Sequence, residues 1–257
     1  MKLSANLAVL WDELPFLDRF DAAAAAGFTA VEVPFPYEYP AQDLQDAMRR
    51  TGLAINLISA PPPNYTGGAV VFASTPGQDG RFQHDMRRVY RYADVLRVPI
   101  INVRVGRGTQ EACFETVVQN LKWAARTAPK GVTLTIEPRN TIDDPGFFLS
   151  DYGLAAKILD TVKKPNLRLL FDSYQAQMIH GDVLDTWRRY GLRTGHVQLG
   201  DTPGRIALGE GEIDFPALIA EIQNSEYSGW VSADYIPGDR QTEASLAWMK
   251  RVLPKAS

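Results

Sequence analysis

The chain has 257 residues, of which 45% are hydrophobic, so it can bury a large core. Its 27 basic and 30 acidic residues give a formal net charge of -3. That balance excludes the strongly positive surface that a binder of nucleic acid or of an anionic membrane needs, so we expect neither partner.

Three features of the sequence predict a cytoplasmic protein. The single cysteine, Cys113, excludes an internal disulfide and a cysteine-rich zinc site, which fits a reducing compartment. The N-terminal apolar run soon meets Asp12 and Glu13, which argues against a signal peptide. No run of about 18 apolar residues is present to span a bilayer. The oligomeric state stays open, and a homo-oligomer is one option.

Short apolar or β-branched runs alternate with longer helical patterns, as is typical of parallel βα units covered on both faces. The predicted strands are residues 3–8, 30–35, 54–59, 100–105, 133–138, 168–172, 195–200 and 230–236. Among the helical segments, FLDRFDAAAAAG should stop at Gly27 and DLQDAMRRTG should end at Gly52. Residues 60–80 form a predicted long loop, placed where a barrel enzyme keeps a lid.

The number of repeats decides the predicted fold. Eight strand–helix units in about 250 residues match a (β/α)8 TIM barrel. No Ser/Gly linker or shift in composition divides the chain, so we expect residues 1–257 to form one α/β domain. The alternative is a doubly wound sheet, which would need a G-x-G-x-x-G turn after an early strand. The GRG at residues 106–108 lacks that spacing.

Oxygen-bearing side chains stand at or near the ends of four consecutive predicted strands. They are Glu137, Asp172, Gln198 and Asp234. Because all strands of a barrel run the same way, these side chains should meet at one mouth. Carboxylates in a low-dielectric pocket repel one another unless a cation neutralises them, so the four residues are candidate metal ligands. An all-oxygen set favours Mg²⁺ or Mn²⁺ over Zn²⁺, and a solvated or ion-paired strand end is the alternative for each residue.

Other residues near the predicted mouth are candidates for substrate binding. His196 precedes Gln198 by two residues, so both side chains point to the same side of the strand. It could orient a metal-bound water, contact the substrate, or be a buried, hydrogen-bonded imidazole. Arg139 and Arg104 are candidate anion clamps, because a guanidinium pairs bidentately with a carboxylate. Structural ion pairing is the alternative for both arginines.

Several motifs carry a resemblance that covers nearly the whole chain. They are LSANL (3–7), VEVPFPYEY (31–39), INVRVG (101–106), IEPRN (136–140), PGFFL (145–149), FDSYQAQ (171–177), GHVQLGDTPGR (195–205), GEGEIDF (209–215) and YSGWVSADYIP (227–237). In these segments the chain resembles the hydroxypyruvate isomerase family of the xylose-isomerase-like barrels, which includes the 2-oxo-tetronate isomerases. The resemblance implies an aldose–ketose type isomerisation of a short, oxidised sugar acid, with a divalent metal at the barrel mouth.

The resemblance also implies roles for individual residues. Glu137 matches the family's metal ligand and acid/base, and Asp172 and Gln198 match two further ligands. The last ligand and second acid/base is a glutamate in the family, and Asp234 takes its place here. Aspartate is shorter by one C–C bond, about 1.5 Å.

Two further positions depart from the family pattern. Gln175 stands where the family has a histidine, and we treat it as a candidate for substrate contact. Ile58 and Ser59 stand in the third strand, where the family tends to carry another histidine. Because these positions differ from the family pattern, the resemblance predicts the fold more closely than it predicts the substrate and the reaction.

The leading functional hypothesis is proton transfer between adjacent carbons of a small oxo acid through an enediolate, with Glu137 and Asp234 as the acid/base pair. An epimerase or a decarboxylase of a 3-oxo sugar acid would use the same metal site and intermediate. A third option is a binding barrel that has lost catalysis. Cleavage of abasic nucleic acid, as in some related barrels, is excluded by the charge and by the scarcity of histidine, of which there are 3.

Overall fold

A computed structural model describes residues 1–62 and 69–249 of the chain. Eight parallel strands pair in chain order and close into a barrel. They are β1 (Lys2–Asn6), β2 (Ala30–Glu32), β3 (Ala54–Ala60), β4 (Ile100–Val103), β5 (Thr133–Ile136), β6 (Leu167–Asp172), β7 (Thr194–Leu199) and β8 (Trp230–Ala233). All of them lie where the sequence predicts strands, so the predicted (β/α)8 TIM barrel is confirmed.

Several strands end earlier than the sequence predicts. The pattern extends the fifth and eighth strands to residues 138 and 236, whereas β5 ends at Ile136 and β8 ends at Ala233. Glu137 and Asp234 are therefore the first residues beyond their strands. This position brings both carboxylates to the mouth of the barrel rather than into its interior.

Helices follow the strands and cover the outside of the barrel. They are α1 (Asp18–Ala25), α2 (Ala41–Thr51), α3 (Asp79–Leu96), α4 (Gln110–Thr127), α5 (Tyr152–Val162), α6 (Ser173–His180), α7 (Val183–Tyr190), α8 (Phe215–Asn224) and the short α9 (Thr242–Ser245). The predicted helix ends are confirmed. Gly52 caps α2 in the left-handed region at φ 74°, where a side chain would be strained, and its N–H donates to the Met48 carbonyl at 2.8 Å.

The main hydrophobic core lies between the strands and the surrounding helices, and it includes the single cysteine, Cys113, on α4. The barrel interior is more polar. Ser4 on β1 donates to the amide oxygen of Asn56 on β3 at 2.8 Å. Because β1 and β3 are not neighbours in the sheet, this hydrogen bond crosses the interior. Leu57, Ile100 and Leu170 form a small, separate apolar cluster.

The predicted lid lies partly outside the described residues, because residues 63–68 are not described. Its later part is anchored to the β4–α4 loop. Ser74 donates its backbone N–H to Val105 and its hydroxyl to the carbonyl of Arg107. Closure of this segment over the mouth stays a prediction. Within residues 1–62 and 69–249, no helix has the length and apolar character required to cross a bilayer.

One buried carboxylate organises the loop after β7. Asp201 is fully buried, and its oxygens accept hydrogen bonds of 2.8 to 3.0 Å from the backbone N–H groups of Thr202, Gly209, Gly211 and Ile213. A Cβ atom at Gly211 would lie 1.9 Å from the carbonyl oxygen of Thr202, so the loop is closed tightly on itself. This loop includes Arg205, which points back to the barrel mouth.

We expect Asp201→Ala to lower the free energy of unfolding by about 3 kcal/mol or more, because it leaves buried backbone donors without an acceptor. Urea denaturation measures this loss. The matched control is Asp182→Ala, which removes an exposed carboxylate that caps α7 with a single hydrogen bond to the N–H of Asp185. The control should cost about 1 kcal/mol. Equal losses would contradict the role given to Asp201.

Candidate active site

A cavity of about 270 Å³ opens at the carboxyl-terminal ends of the strands, where TIM-barrel enzymes place their active sites. Its polar lining consists of two carboxylates, three amides, three guanidinium groups and one hydroxyl: Glu137, Asp234, Asn6, Asn102, Gln198, Arg104, Arg139, Arg205 and Ser59. Most of the predicted site residues therefore meet in one place. Another cavity, of about 320 Å³, lies at the opposite end beside Arg168, which binds the carbonyls of Leu192 and Thr194.

Glu137 is a nearly buried carboxylate on the cavity wall, with 9% of its surface exposed. The side-chain amide of Asn102 donates to its Oε2 atom at 3.2 Å, and Nη1 of Arg139 lies 3.9 Å from Oε1. Burial raises the pKa of Glu137 above its ordinary value, against the opposing charge of Arg139. A raised pKa makes this carboxylate a stronger base than an ordinary glutamate, which suits it to general acid–base catalysis.

Asp234 is the second buried carboxyl group on the cavity wall. Its Oδ1 atom accepts from the amide of Asn6 at 2.9 Å, and its Oδ2 atom accepts from Nη1 of Arg205 at 2.7 Å. Burial raises its pKa to about 7, and the favourable charge of Arg205 only partly offsets this effect. Asp172 is fully buried and does not line the cavity.

Arg205 is a site residue that the sequence analysis missed. The same Nη1 atom that contacts Asp234 lies 2.7 Å from Oδ2 of Asp172, so one guanidinium nitrogen bridges both aspartates. The sequence pattern favours a metal ion as the compensating positive charge, with an ion-paired strand end as the alternative for each residue, but it does not identify Arg205 as the partner. The available signal was an arginine in the loop between the strands that carry the two aspartates.

His196 lies away from the wall of the cavity at the barrel mouth. It is fully buried and absent from the cavity wall, and its Nε2 atom lies 2.5 Å from Oε1 of Glu32. His196 and Gln198 do share one side of β7, but His196 lies deeper in the barrel, where Glu32 meets it. Of the three options for His196, the structure therefore shows the buried, hydrogen-bonded imidazole, paired with Glu32, in place of a direct contact with substrate.

Glu32 is a second residue that the sequence analysis missed. Its other oxygen accepts from Nε2 of Gln198 at 2.6 Å, so the amide oxygen of Gln198 is the atom left for a ligand in the cavity. Glu32 is fully buried on β2 and lies beneath the mouth. By accepting from the Gln198 nitrogen, Glu32 orients the amide so that its oxygen is available in the cavity.

Gln175 also has a supporting position rather than the predicted contact with substrate. It is 1% exposed and does not line the cavity. Its Oε1 atom accepts from the backbone N–H and the side-chain amide of Asn140 at 2.7 and 2.8 Å. Because Asn140 follows Arg139 directly, Gln175 holds the start of the loop after β5.

Arg104 and Arg139 line the cavity as predicted. Arg139 lies 3.7 Å from Asp144 and packs over the ring of Phe147. Arg104 packs over the rings of Phe35 and Phe72, and no carboxylate of the described residues lies within ion-pairing distance of it. Burial and the nearby charge of Arg139 lower the pKa of Arg104. These two like charges favour an anion in the cavity.

The chemistry of the four predicted metal ligands suits a hard divalent ion, because all of them offer oxygen atoms. Glu137, Gln198 and Asp234 line the cavity, and Asp172 lies behind Arg205. Within the described part of the chain, no cluster of three or more His, Cys, Asp or Glu side chains is spaced to hold a metal. In this arrangement the positive charge between the aspartates belongs to Arg205.

Comparison with known proteins assigns the family. A family model described as a xylose isomerase-like TIM barrel matches residues 20–252. The chain is 36% identical over 254 residues to the hydroxypyruvate isomerase of Escherichia coli (strain K12), covering 97% of this chain and 98% of that protein. It is 37% identical over 257 residues to the 2-oxo-tetronate isomerase of Cupriavidus necator, covering 98% of both chains.

Solved structures share the fold of this chain. The structure of an AP endonuclease, family 2, from Brucella melitensis superimposes with a TM-score of 0.91 at 32% identity, covering 97% of this chain and 98% of that one. The 3-keto-D-glucoside 4-epimerase YcjR of E. coli has a TM-score of 0.79 at 17% identity, covering 98% and 99%, which shows the fold alone. The chain thus belongs to the xylose isomerase-like TIM-barrel family and, within it, to the family of the hydroxypyruvate isomerases and 2-oxo-tetronate isomerases.

Proposed function

We propose that the chain is an isomerase of a small oxo acid, of the hydroxypyruvate or 2-oxo-tetronate type, that works through an enediolate. The observation that carries this proposal is the pair Glu137 and Asp234. Both carboxyl groups are buried, face one cavity and have a raised pKa. Two such groups in one cavity can serve as the base and the acid of a proton transfer between adjacent carbons.

The proposed reaction needs no external oxidant or reductant. Glu137 removes the proton from the carbon next to the carbonyl, and the C–H electron pair forms the enediolate. A proton passes from the substrate's hydroxyl oxygen to the former carbonyl oxygen, and Asp234, or water held by it, donates a proton to the former carbonyl carbon, so that the carbonyl moves by one position. Exchange with solvent then removes the proton from Glu137 and returns one to Asp234. The pKa of about 7 at Asp234 allows this group to be protonated before the step and ionised after it.

Arg104 and Arg139 are the proposed anchor for the substrate's carboxylate. Both guanidinium groups line the cavity, and their mutual repulsion falls when an anion binds between them. A planar guanidinium binds a carboxylate with two parallel hydrogen bonds, which fixes orientation as well as affinity. This anchor would present the adjacent carbonyl to Glu137.

We also propose that Glu137, Asp172, Gln198 and Asp234 bind Mg²⁺ or Mn²⁺. When bound, such an ion would stabilise negative charge on the substrate's oxygens. The support is the oxygen-only donor set and the direction of the Gln198 amide, whose oxygen Glu32 leaves free for the cavity.

A substrate screen tests the proposed reaction against its alternatives. Three- to five-carbon oxo and hydroxy acids would be incubated with the protein and Mn²⁺ in deuterated water, and the products followed by NMR. We expect the carbonyl to move with the carbon count unchanged and with deuterium incorporated at the reacting carbon. Loss of CO₂ would indicate a decarboxylase, and inversion without carbonyl movement an epimerase. No turnover of any compound would favour a binding barrel.

For Glu137→Gln we expect kcat to fall by about 10²- to 10⁴-fold, because the amide cannot take the proton. Steady-state kinetics measures the loss, and circular dichroism checks that the fold is retained. Glu115→Gln, on the exposed face of α4, is the matched control and should leave turnover unchanged. Wild-type turnover in the Glu137 variant would contradict the role of Glu137 as the catalytic base.

For Arg104→Met we expect KM for the oxo acid to rise by about tenfold or more, because a charge-assisted contact to the carboxylate is lost. The KM of a neutral hydroxyaldehyde, which lacks the carboxylate, should change little. Arg188→Met is the control, since it removes an arginine from the surface of α7, far from the mouth. Parallel changes for the acid and the neutral compound would argue against the anchor.

A further inference from the structure

Arg205 occupies a constrained position at the barrel mouth. Its Nη1 atom lies 2.7 Å from Oδ2 of Asp172, 2.7 Å from Oδ2 of Asp234 and 3.2 Å from the carbonyl oxygen of Asp234. The guanidinium packs over the ring of Tyr174, with 4.8 Å between its central carbon and the ring centroid. Its backbone has φ 56°, an uncommon value for a residue with a side chain, which the loop around Asp201 maintains.

The contacts of the two aspartates show which of their atoms remain for a cation. Oδ1 of Asp172 accepts the backbone N–H of Gln175, and Oδ1 of Asp234 accepts the amide of Asn6. The Oδ2 atoms of both residues have Arg205 as their partner. A metal ion that takes these Oδ2 atoms as ligands would therefore have to replace the hydrogen bonds that they accept from Arg205.

Arg205 supplies positive charge to a region that contains several buried carboxyl groups. Asp172 is fully buried, Asp234 is 8% exposed and Glu137 is 9% exposed, so three carboxyl groups share one poorly solvated region. Removal of a counter-charge from such a region leaves buried like charges opposed to one another, which is strongly destabilising. A guanidinium that bridges two of the carboxylates reduces this repulsion without any bound ion.

We propose that Arg205 is a built-in counterion that competes with a divalent cation for the Oδ2 atoms of Asp172 and Asp234. The inference rests on the proposed metal ligands of the preceding subsection. In the metal-free protein, Arg205 stabilises the mouth. When an ion binds, it displaces the guanidinium from the aspartates, so Arg205 weakens the affinity for the ion and links metal binding to a movement of its own side chain.

The first test compares wild type with Arg205→Gln in the absence of substrate. Isothermal titration with Mn²⁺ gives Kd, and thermal unfolding gives Tm with and without the ion. We expect the variant to bind Mn²⁺ about tenfold more tightly or better, because the ion no longer displaces charge-assisted hydrogen bonds. We also expect a lower metal-free Tm and a larger rise in Tm on adding Mn²⁺.

Two control variants sharpen this comparison. Arg205→Lys keeps the positive charge but not the planar group, so its Kd should fall between the other two. Arg188→Gln removes an exposed arginine and should leave the Kd for Mn²⁺ unchanged. An Arg205→Gln variant that binds Mn²⁺ as weakly as wild type, or more weakly, overturns the competition but leaves the proposed ligands standing. Absence of Mn²⁺ binding in every variant overturns both.

A second measurement uses the wild-type protein and so does not depend on the folding of a variant. The ¹⁵N signals of the arginine side chains would be recorded during titration with Mg²⁺, which is diamagnetic. The Arg205 signal, identified by its absence in Arg205→Lys, should shift as the ion saturates the site. A saturated site with an unmoved signal contradicts the displacement. Neither measurement uses turnover, so the isomerase assignment can fail independently.

Discussion

Carboxylates gathered in a poorly solvated wall must share a positive charge, and at the mouth of this barrel the guanidinium of Arg205 supplies it. One nitrogen atom bridges Asp172 and Asp234 at 2.7 Å from each. The remaining carboxylate, Glu137, lies near Arg139 instead, at 3.9 Å. The placement of acids and bases around the cavity follows from this constraint, because each buried negative group needs a compensating partner.

Three parts of the mouth are supported by buried polar groups behind them. Asp201 closes the loop that carries Arg205, Glu32 fixes the amide of Gln198, and Gln175 binds Asn140 beside Arg139. These supports account for polar residues that neither line the cavity nor form part of the hydrophobic core. Through these hydrogen bonds they hold the side chains of the site in position around the cavity.

Much of the fold and part of the site could be predicted from sequence alone. The alternation of strand and helix patterns predicts all eight strands of the barrel. Because parallel strands end at one mouth, the same pattern predicts that Glu137, Gln198 and Asp234 meet there, and they line one cavity. Arg104 and Arg139 follow from the same argument. Local periodicity and strand direction are sufficient for these conclusions, since both are properties of consecutive residues.

Only the tertiary structure decided what each polar side chain pairs with. His196 and Glu32 are 164 positions apart in the chain, yet they form a contact inside the barrel that makes His196 a supporting residue. Gln175 accepts a hydrogen bond from Asn140, and Arg205 donates hydrogen bonds to Asp172 and Asp234. Sequence determines which face of a strand a residue occupies. Its depth in the barrel, and the partner it meets there, depend on how distant segments pack.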